Sequence, residues 1–387
     1  MFKMWTLVLL ALVVFISSCA SVPTPSATES SKLTTPLTST RGVAVAPQPP
    51  PDDEAWAKVI QEAKREGQVL IYSFSFAGDV GLVVSRAFRE KFGIKAEIVA
   101  GTSPVMLERI RSEYRAKQFT TDVADMSPAR ILSLKDDKLS LSIKDLPALR
   151  DKAGWYTHPL DMDPEGYTLN YSPTVSTPYI NTTLVKPGEE PQSWLDLLQP
   201  RWKGKVMVGD PGVYVGTTYI YYGLVRKSKR LNEDYFRQLG GQISKFVPGS
   251  ARDQALVLVR GEGSINISVS TAGSASLLAE GAPIRAISLK EGWGSNPAVA
   301  LAMLSNAPHP NAARLFLNWF LSAEGMKVFA QSASQITYRR DVPDFLPNAA
   351  RVDPSTAINL DLKDLDESNT LYNAGYLTKL WKGETGK

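Results

Sequence analysis

The chain has 387 residues, a net charge of +4 with acidic and basic residues interspersed, one cysteine and two histidines. This length supports two or more domains around sizeable cores, and the small, mixed charge gives no reason to expect a nucleic-acid partner. A lone Cys19 excludes an internal disulfide. With only His158 and His309 beside it in the whole sequence, each next to a proline, a Cys/His metal cluster and a cysteine-based catalytic pair are excluded as well.

Lys3 precedes an apolar run from Trp5 to Ile16 that is too short to span a bilayer comfortably. The following Ile16-Ser17-Ser18-Cys19 resembles a bacterial lipoprotein cleavage box. Residues 1–18 are therefore expected to be a signal peptide, and Cys19 to carry the lipid that ties the chain to the bilayer. A plain secretory signal with a chance cysteine is the alternative. Residues 19–52 are rich in Ser, Thr and Pro and offer few large apolar groups to bury, so a flexible tether is expected. The body would then sit outside the cytoplasm, at a cell surface or in a periplasm.

In the body, Asp52-Asp53 starts a helix with Trp56, Val59, Ile60 and Ala63 on one face, and Gly67 ends it. A strand over Gln68–Phe74, a helix striped by Val83, Val84, Ala87, Phe88 and Phe92, and a strand over Ile94–Val99 form a βαβ unit with parallel strands. Pro104 opens the next helix, Asp122–Asp125 reads as a short strand and Pro128–Leu134 as a short helix. From Lys135 to Asp163 the pattern is weak and irregular structure is expected, before a strand over Gly166–Tyr171. Thr177–Thr218 reads as strand, turn, short helix capped by Ser193, buried strand and an abrupt loop at Gly209-Asp210-Pro211. Thr217 then caps a helix running from Tyr219 to Val225. Further on come a helix capped by Asn232, a helix over Ala251–Val259, and a strand over Ser264–Ser268. A helix over Thr271–Glu280, a strand over Ile284–Ser288, an apolar strand over Pro297–Leu304 and two helices carrying Phe316, Trp319 and Phe320 complete the pattern.

The run holding Tyr179-Ile180-Asn181, Trp194, Trp202-Lys203-Gly204-Lys205 and Gly209-Asp210-Pro211, with the strand and helix pair from Ala298 to Ala330, resembles the extracellular solute-binding proteins of ABC transporters. The likeness is to the two-lobed, type 2 periplasmic-binding-protein family that includes receptors for ferric iron, polyamines, thiamine and sugar phosphates. It extends from about Asp53 to Tyr338. It implies an α/β fold of two Rossmann-like lobes joined by a hinge, with a ligand cleft between them: lobe 1 over 53–175, lobe 2 over 176–289, and a return to lobe 1 over 290–338. Residues 339–387 have no assigned place. The implied partners are a small-molecule ligand and a membrane permease; no cofactor is expected, and the chain is expected to be monomeric.

Ligands of open α/β sheets sit outside the carboxyl ends of the strands, where helix N-termini suit anions. The hydroxyl residues at such loops are Ser73, Ser75, Thr102, Ser103, Thr217, Thr218 and Ser268; each is a cap or a ligand contact. Arg252 either forks onto an anion or is a solvated surface residue, and Arg109 is similar with the surface reading ahead. Asp210 either meets a ligand amine or bonds its own turn. Tyr179, Tyr214 and Trp293 are candidate cleft walls. Ferric members of the family bind through neighbouring tyrosines after a Gly-Glu helix end, and the matching segment Gly261–Ser270 has none. Tyr221-Tyr222 lies in a helix well before it. A ferric receptor is the alternative within the fold, and a secreted hydrolase the alternative outside it, although no Gly-x-Ser-x-Gly elbow is present.

Overall fold

The computed structural model describes residues 53–383. The expected signal peptide, Cys19, the tether and Asp52 lie outside these residues.

Helix α1 (Asp53–Glu66) ends at Gly67, whose φ of +72° suits glycine. Strand β1 (Gln68–Ser73), helix α2 (Asp79–Phe92) and strand β2 (Lys95–Ala100) make the expected βαβ unit, with Gln68 opposite Lys95 in a parallel ladder. Helix α3 (Ser103–Arg115) returns the chain to β3 (Val123–Met126), parallel to β1 on its other side. Helix α4 (Pro128–Asp136) follows at once. The weakly patterned stretch holds only short pieces, among them β4 (Ser140–Leu141) and α5 (Pro159–Met162).

The strand expected to end at Tyr171 runs on. Strand β5 (Leu169–Asn181) is 13 residues long and passes through Pro173 and Pro178. Proline is tolerated there because Pro178 falls at a register shift, and Pro173 faces Pro297 beside another. Trp194–Leu198 is helical but 3₁₀ rather than α, with the Ser193/Asp196 capping box formed in both directions. Strand β6 (Val206–Gly209) leads to α6 (Gly216–Tyr221), which continues as a π-turn over Tyr222–Lys227. Asn232 caps α7 (Glu233–Gly240) as expected. Strand β7 (Ile243–Val247), half exposed and interrupted by polar residues, had no sequence signal. Helix α8 (Ala251–Val259), strand β8 (Ile265–Ser270), helix α9 (Thr271–Ala279) and strand β9 (Ile284–Ala286) come next. The return strand is β10 (Trp293–Leu304), four residues longer at its start than the apolar run suggests. Helices α10 (Pro310–Phe320) and α11 (Ala323–Ala333) follow, then β11 (Ala357–Asn359), α12 (Leu362–Asn373) and α13 (Tyr376–Trp381).

The strands join in the order β2-β1-β3-β10-β5-β8-β6-β7, with β11 and β4 on β10 and β9 on β5. One pair of cores flanks the β2-β1-β3-β10 half. The larger contains Ile71, Phe88, Tyr171, Phe316 and Phe320, and the smaller contains Met106, Ile110 and Ile131. A second pair flanks β8-β6-β7: Trp194, Tyr221, Phe236 and Ile267 on one face, Tyr179, Met207 and Leu258 on the other. Among the described residues, only β5 and β10 run between the two halves as continuous strands. The tail, which the sequence leaves unplaced, packs on the second half through Ile358, Leu360, Leu365, Leu377 and Leu380.

The first amides of α10, which starts at Pro310, have no partners within the helix, and Glu66 from α1 fills that gap. Its carboxylate accepts from Asn311 N at 3.2 Å, Asn311 Nδ2 at 2.8 Å and Ala312 N at 2.7 Å. Glu66→Ala is expected to cost about 1 kcal/mol, the loss typical of a removed N-cap. Urea unfolding of the variant, with an unchanged m-value, checks this.

Candidate functional site

A cavity of about 610 Å³ opens between the two halves. Its floor is the pair of crossing strands, through Thr174 and Ser176 of β5 and Asn296, Pro297 and Ala298 of β10. On the first-half side stand Phe74, from the loop after β1, and the start of α4 with Ser127, Ala129, Arg130 and Ser133. On the other side stand Val213, Tyr214, Gly216 and Tyr219 at α6, then Ala251 at the start of α8, and Ser270 and Ala272 at α9. Helix α12 adds Leu365, Asn369, Tyr372 and Asn373.

Local chemistry fixes these walls. Asp125 is fully buried and accepts from Ser73 Oγ at 2.5 Å, Ser75 Oγ at 2.5 Å, Ser75 N at 3.0 Å and Tyr171 Oη at 2.8 Å. This holds the loop that presents Phe74, which is 47% exposed. Burial pushes the Asp125 pKa up, opposed by those hydrogen bonds. Ser103 Oγ accepts from Ser127 N at 3.0 Å and so sets the entry to α4. Across the cavity, Tyr214 lies flush on two glycines. A Cβ on Gly209 would stand 2.4 Å, and one on Gly216 2.6 Å, from its ring, so only glycine admits the tyrosine there. Tyr219 Oη donates to Asn369 Oδ1 at 3.2 Å, and burial pushes its pKa up to about 12.

The electrostatics have one sign. Among the described residues, Arg130 is the one charged side chain lining the cavity, and its guanidinium has no ion-pair or hydrogen-bond partner. The first-turn amides of Ala129 in α4 and Ala272 in α9 have no acceptor among the described residues, and they bring partial positive charge to the walls. On the floor, Ser176 is 3% exposed and Asn296 5% exposed. Ser176 Oγ and Asn296 Oδ1 have no partner among the described residues, although both residues line the cavity. A polar group in such a place is normally satisfied, which leaves both open to a ligand or to water.

None of the ten expected ligand contacts lines this cavity. Ser73 is spent on Asp125. Thr217 Oγ1 donates to Gly209 O at 2.8 Å, and Ser268 Oγ accepts from Gly209 N at 2.6 Å. Tyr179 is buried in the second half with Ser274 on its hydroxyl, and burial pushes its pKa up to about 12. Thr218 is buried. These five side chains are enclosed in the frame, where they brace the loops whose neighbouring residues line the cavity. Arg252 is exposed and turned along α9 to Ser276, and Asp210 accepts from Gly212 N at 2.8 Å in its own turn. Ser75 is drawn to Asp125 and Tyr171, Ser103 is taken by Ser127, and Thr102 is exposed at the start of α3 without a capping bond. Of the three aromatic candidates, Tyr214 is a wall. Trp293 instead donates to Asp353 O at 2.8 Å.

The residues lining the cavity are sequence neighbours of the expected ones. Phe74 sits between Ser73 and Ser75, Gly216 beside Thr217, Ser270 two residues past Ser268, and Ala251 before Arg252. Arg130 and Ser127 carried a signal, since Pro128 marks a helix start after a strand, but they were not singled out. Helix α12 had none. Tyr221 and Tyr222 face away from the cavity, their hydroxyls bonded to Glu233 and Glu367. Neither histidine lines the cavity: His158 is bonded to Leu149 O and His309 to Asp122.

Two α/β halves crossed by two strands, with a cavity at the crossing, define a two-lobed binding protein. The profile of bacterial extracellular solute-binding proteins matches residues 136–364, and the chain belongs to that family. An uncharacterized protein of Haemophilus influenzae is 25% identical over 281 residues, 69% of this chain and 76% of that one. Among solved structures, the Trichodesmium protein IdiA (FutA) in complex with iron and citrate superposes with a TM-score of 0.62 at 19% identity, covering 83% of this chain and 100% of that one. The periplasmic binding protein AfuA of Actinobacillus pleuropneumoniae, with fructose-6-phosphate bound, gives a TM-score of 0.56 at 19% identity, covering 82% and 98%. The chain thus has the type 2 periplasmic-binding-protein fold and is an extracellular solute-binding protein.

Proposed function

We propose that this chain is the lipid-anchored receptor of an ABC importer and captures a small organic anion by closing its two lobes. The observation that carries this reading is the charge of the cavity: one unpaired arginine, open helix amides and no lining carboxylate among the described residues. Arg130 forks onto the anion, the amides of Ala129 and Ala272 add donors, and Ser176 hydrogen-bonds the ligand on the floor. Pro173 and Pro297 face each other where β5 and β10 cross. Neither has an N–H to give the ladder, so the strands bend there at least cost. Closure brings both walls onto the ligand, and the closed form docks on a permease. The receptor acts as a monomer, without cofactor or turnover, outside the cytoplasm on the lipid at Cys19.

Small-angle scattering of the full chain with and without citrate, inorganic phosphate or glucose 6-phosphate tests this. A fall in radius of gyration and a rise in melting temperature with at least one of them is expected. No response to any of the three would sink the anion reading.

A ferric receptor is the second reading. It is favoured by Tyr214, Tyr219 and Tyr372 lining one side of the cavity, since phenolates are hard donors suited to Fe(III). Burial raises the pKa of Tyr214 and Tyr219, so a metal would have to displace their protons. Adding Fe(III) with citrate decides: a visible phenolate-to-iron band that is lost in Tyr219→Phe supports iron, and a colourless protein rejects it.

A further inference from the structure

The wall made by α12 has an unusual origin. The family profile ends at residue 364, and Asn369 and Tyr372 lie beyond it. The helix is nevertheless fixed rigidly on the second lobe. Asp361 and Asp364 form a capping box at its start, and Lys227 reaches Asp364 at 2.6 Å and Asp361 at 3.3 Å. Tyr222 Oη donates to Glu367, and Leu365 is buried in the second-lobe core.

That anchoring orients two side chains. Asn369 Oδ1 accepts from Tyr219 Oη, which leaves the Nδ2 amide as an uncommitted donor on a half-buried residue that lines the cavity. Tyr372 turns its ring to the cavity, with its hydroxyl 3.5 Å from Gly212 O, a contact too long to hold it strongly. The first-lobe wall supplies charge through Arg130. The α12 wall supplies an amide donor and an aromatic face, and neither recognises charge.

We propose that α12 is the specificity wall of this receptor: Asn369 and Tyr372 contact the neutral body of the ligand whose anionic group Arg130 holds. The proposal rests on the anion reading above. A neutral body with hydroxyl groups fits this pair, because an amide donor meets its oxygens and an aromatic face meets its C–H surface.

The test is calorimetry on the full chain with inorganic phosphate, which is a bare anionic group, and with glucose 6-phosphate, the same group on a hydroxylated ring. The ratio of the two affinities is the readout, because a variant that merely loosens the fold weakens both together. Asn369→Leu and Tyr372→Ala are expected to lower the preference for glucose 6-phosphate by about fivefold each, the effect of one lost contact. Tyr372→Phe, which keeps the ring, is expected to retain the wild-type ratio. If Tyr372→Ala fails to fold, Tyr372→Leu replaces it, and melting curves verify each variant. A ratio unchanged in both Asn369→Leu and the Tyr372 variant, while the wild type binds, overturns this proposal and leaves the anion reading standing. A wild-type chain that binds neither compound, nor citrate, fails the anion reading and takes this proposal with it.

Discussion

Asp125→Ala is expected to cost about 3–5 kcal/mol of unfolding free energy, because it strips the acceptor from a group of buried donors. Ser73 Oγ, Ser75 Oγ, Ser75 N and Tyr171 Oη all converge on this carboxylate. Alanine leaves them unpaired in a site with no exposure and opens a small void under the β1–α2 loop. Chemical denaturation with an unchanged m-value checks the figure; a loss below 1 kcal/mol would mean that water replaces the carboxylate at little cost.

The same residue predicts a pH dependence. Burial raises the Asp125 pKa above its ordinary 3.8, so the folded state holds the proton more tightly than the unfolded chain. A raised pKa makes the contribution of the group most favourable below the unfolded value and erodes it as pH rises through the folded one. The stability of the wild type relative to Asp125→Asn is therefore expected to fall as pH increases from below 3.8 through the raised value. A difference that stays flat with pH would show that the hydrogen bonds cancel the burial. Ser73 Oγ, Ser75 N and Ser75 Oγ flank Phe74 and lose their acceptor together, so the Ala variant should loosen one cavity wall as well.

How far the sequence carried the fold follows from where each signal lies. Helix α2 has an apolar stripe and a terminal glycine, and the Ser193 capping box is a local pattern of four residues; both formed as expected. Strand β5 is longer than the expected Gly166–Tyr171 because register shifts let a crossing strand absorb Pro173 and Pro178. The π-turn stands where plain helix was expected, and its Tyr222 and Lys227 bond Asp364 and Asp361 at the start of α12, 134 or more residues away in sequence. The residues that line the cavity adjoin the expected ones in sequence without coinciding with them. Hydroxyl residues at strand ends have a choice between groups of the frame and a ligand, and Ser73, Thr217 and Ser268 took the first, bonding the Asp125 carboxylate and the Gly209 backbone. Asn369 and Tyr372 enter the site only through long-range docking of the tail, for which no local pattern exists.

Arg130→Gln is expected to weaken binding of citrate or inorganic phosphate by about tenfold to a hundredfold, the loss typical of a charged anchor replaced by a neutral amide. No second cation lines the cavity among the described residues, so nothing there takes over its charge. The melting temperature should not move: Arg130 is exposed and unpaired, and removing such a side chain disturbs neither packing nor an ion pair. Arg130→Lys separates charge from shape. It keeps the cation but loses the planar fork, so its affinity should fall between the other two. Salt gives an independent reading, since wild-type affinity should drop with ionic strength more steeply than that of Arg130→Gln. Equal affinities and equal salt slopes in wild type and Arg130→Gln would place the anionic group at the α9 amides instead, and would remove Arg130 from the site.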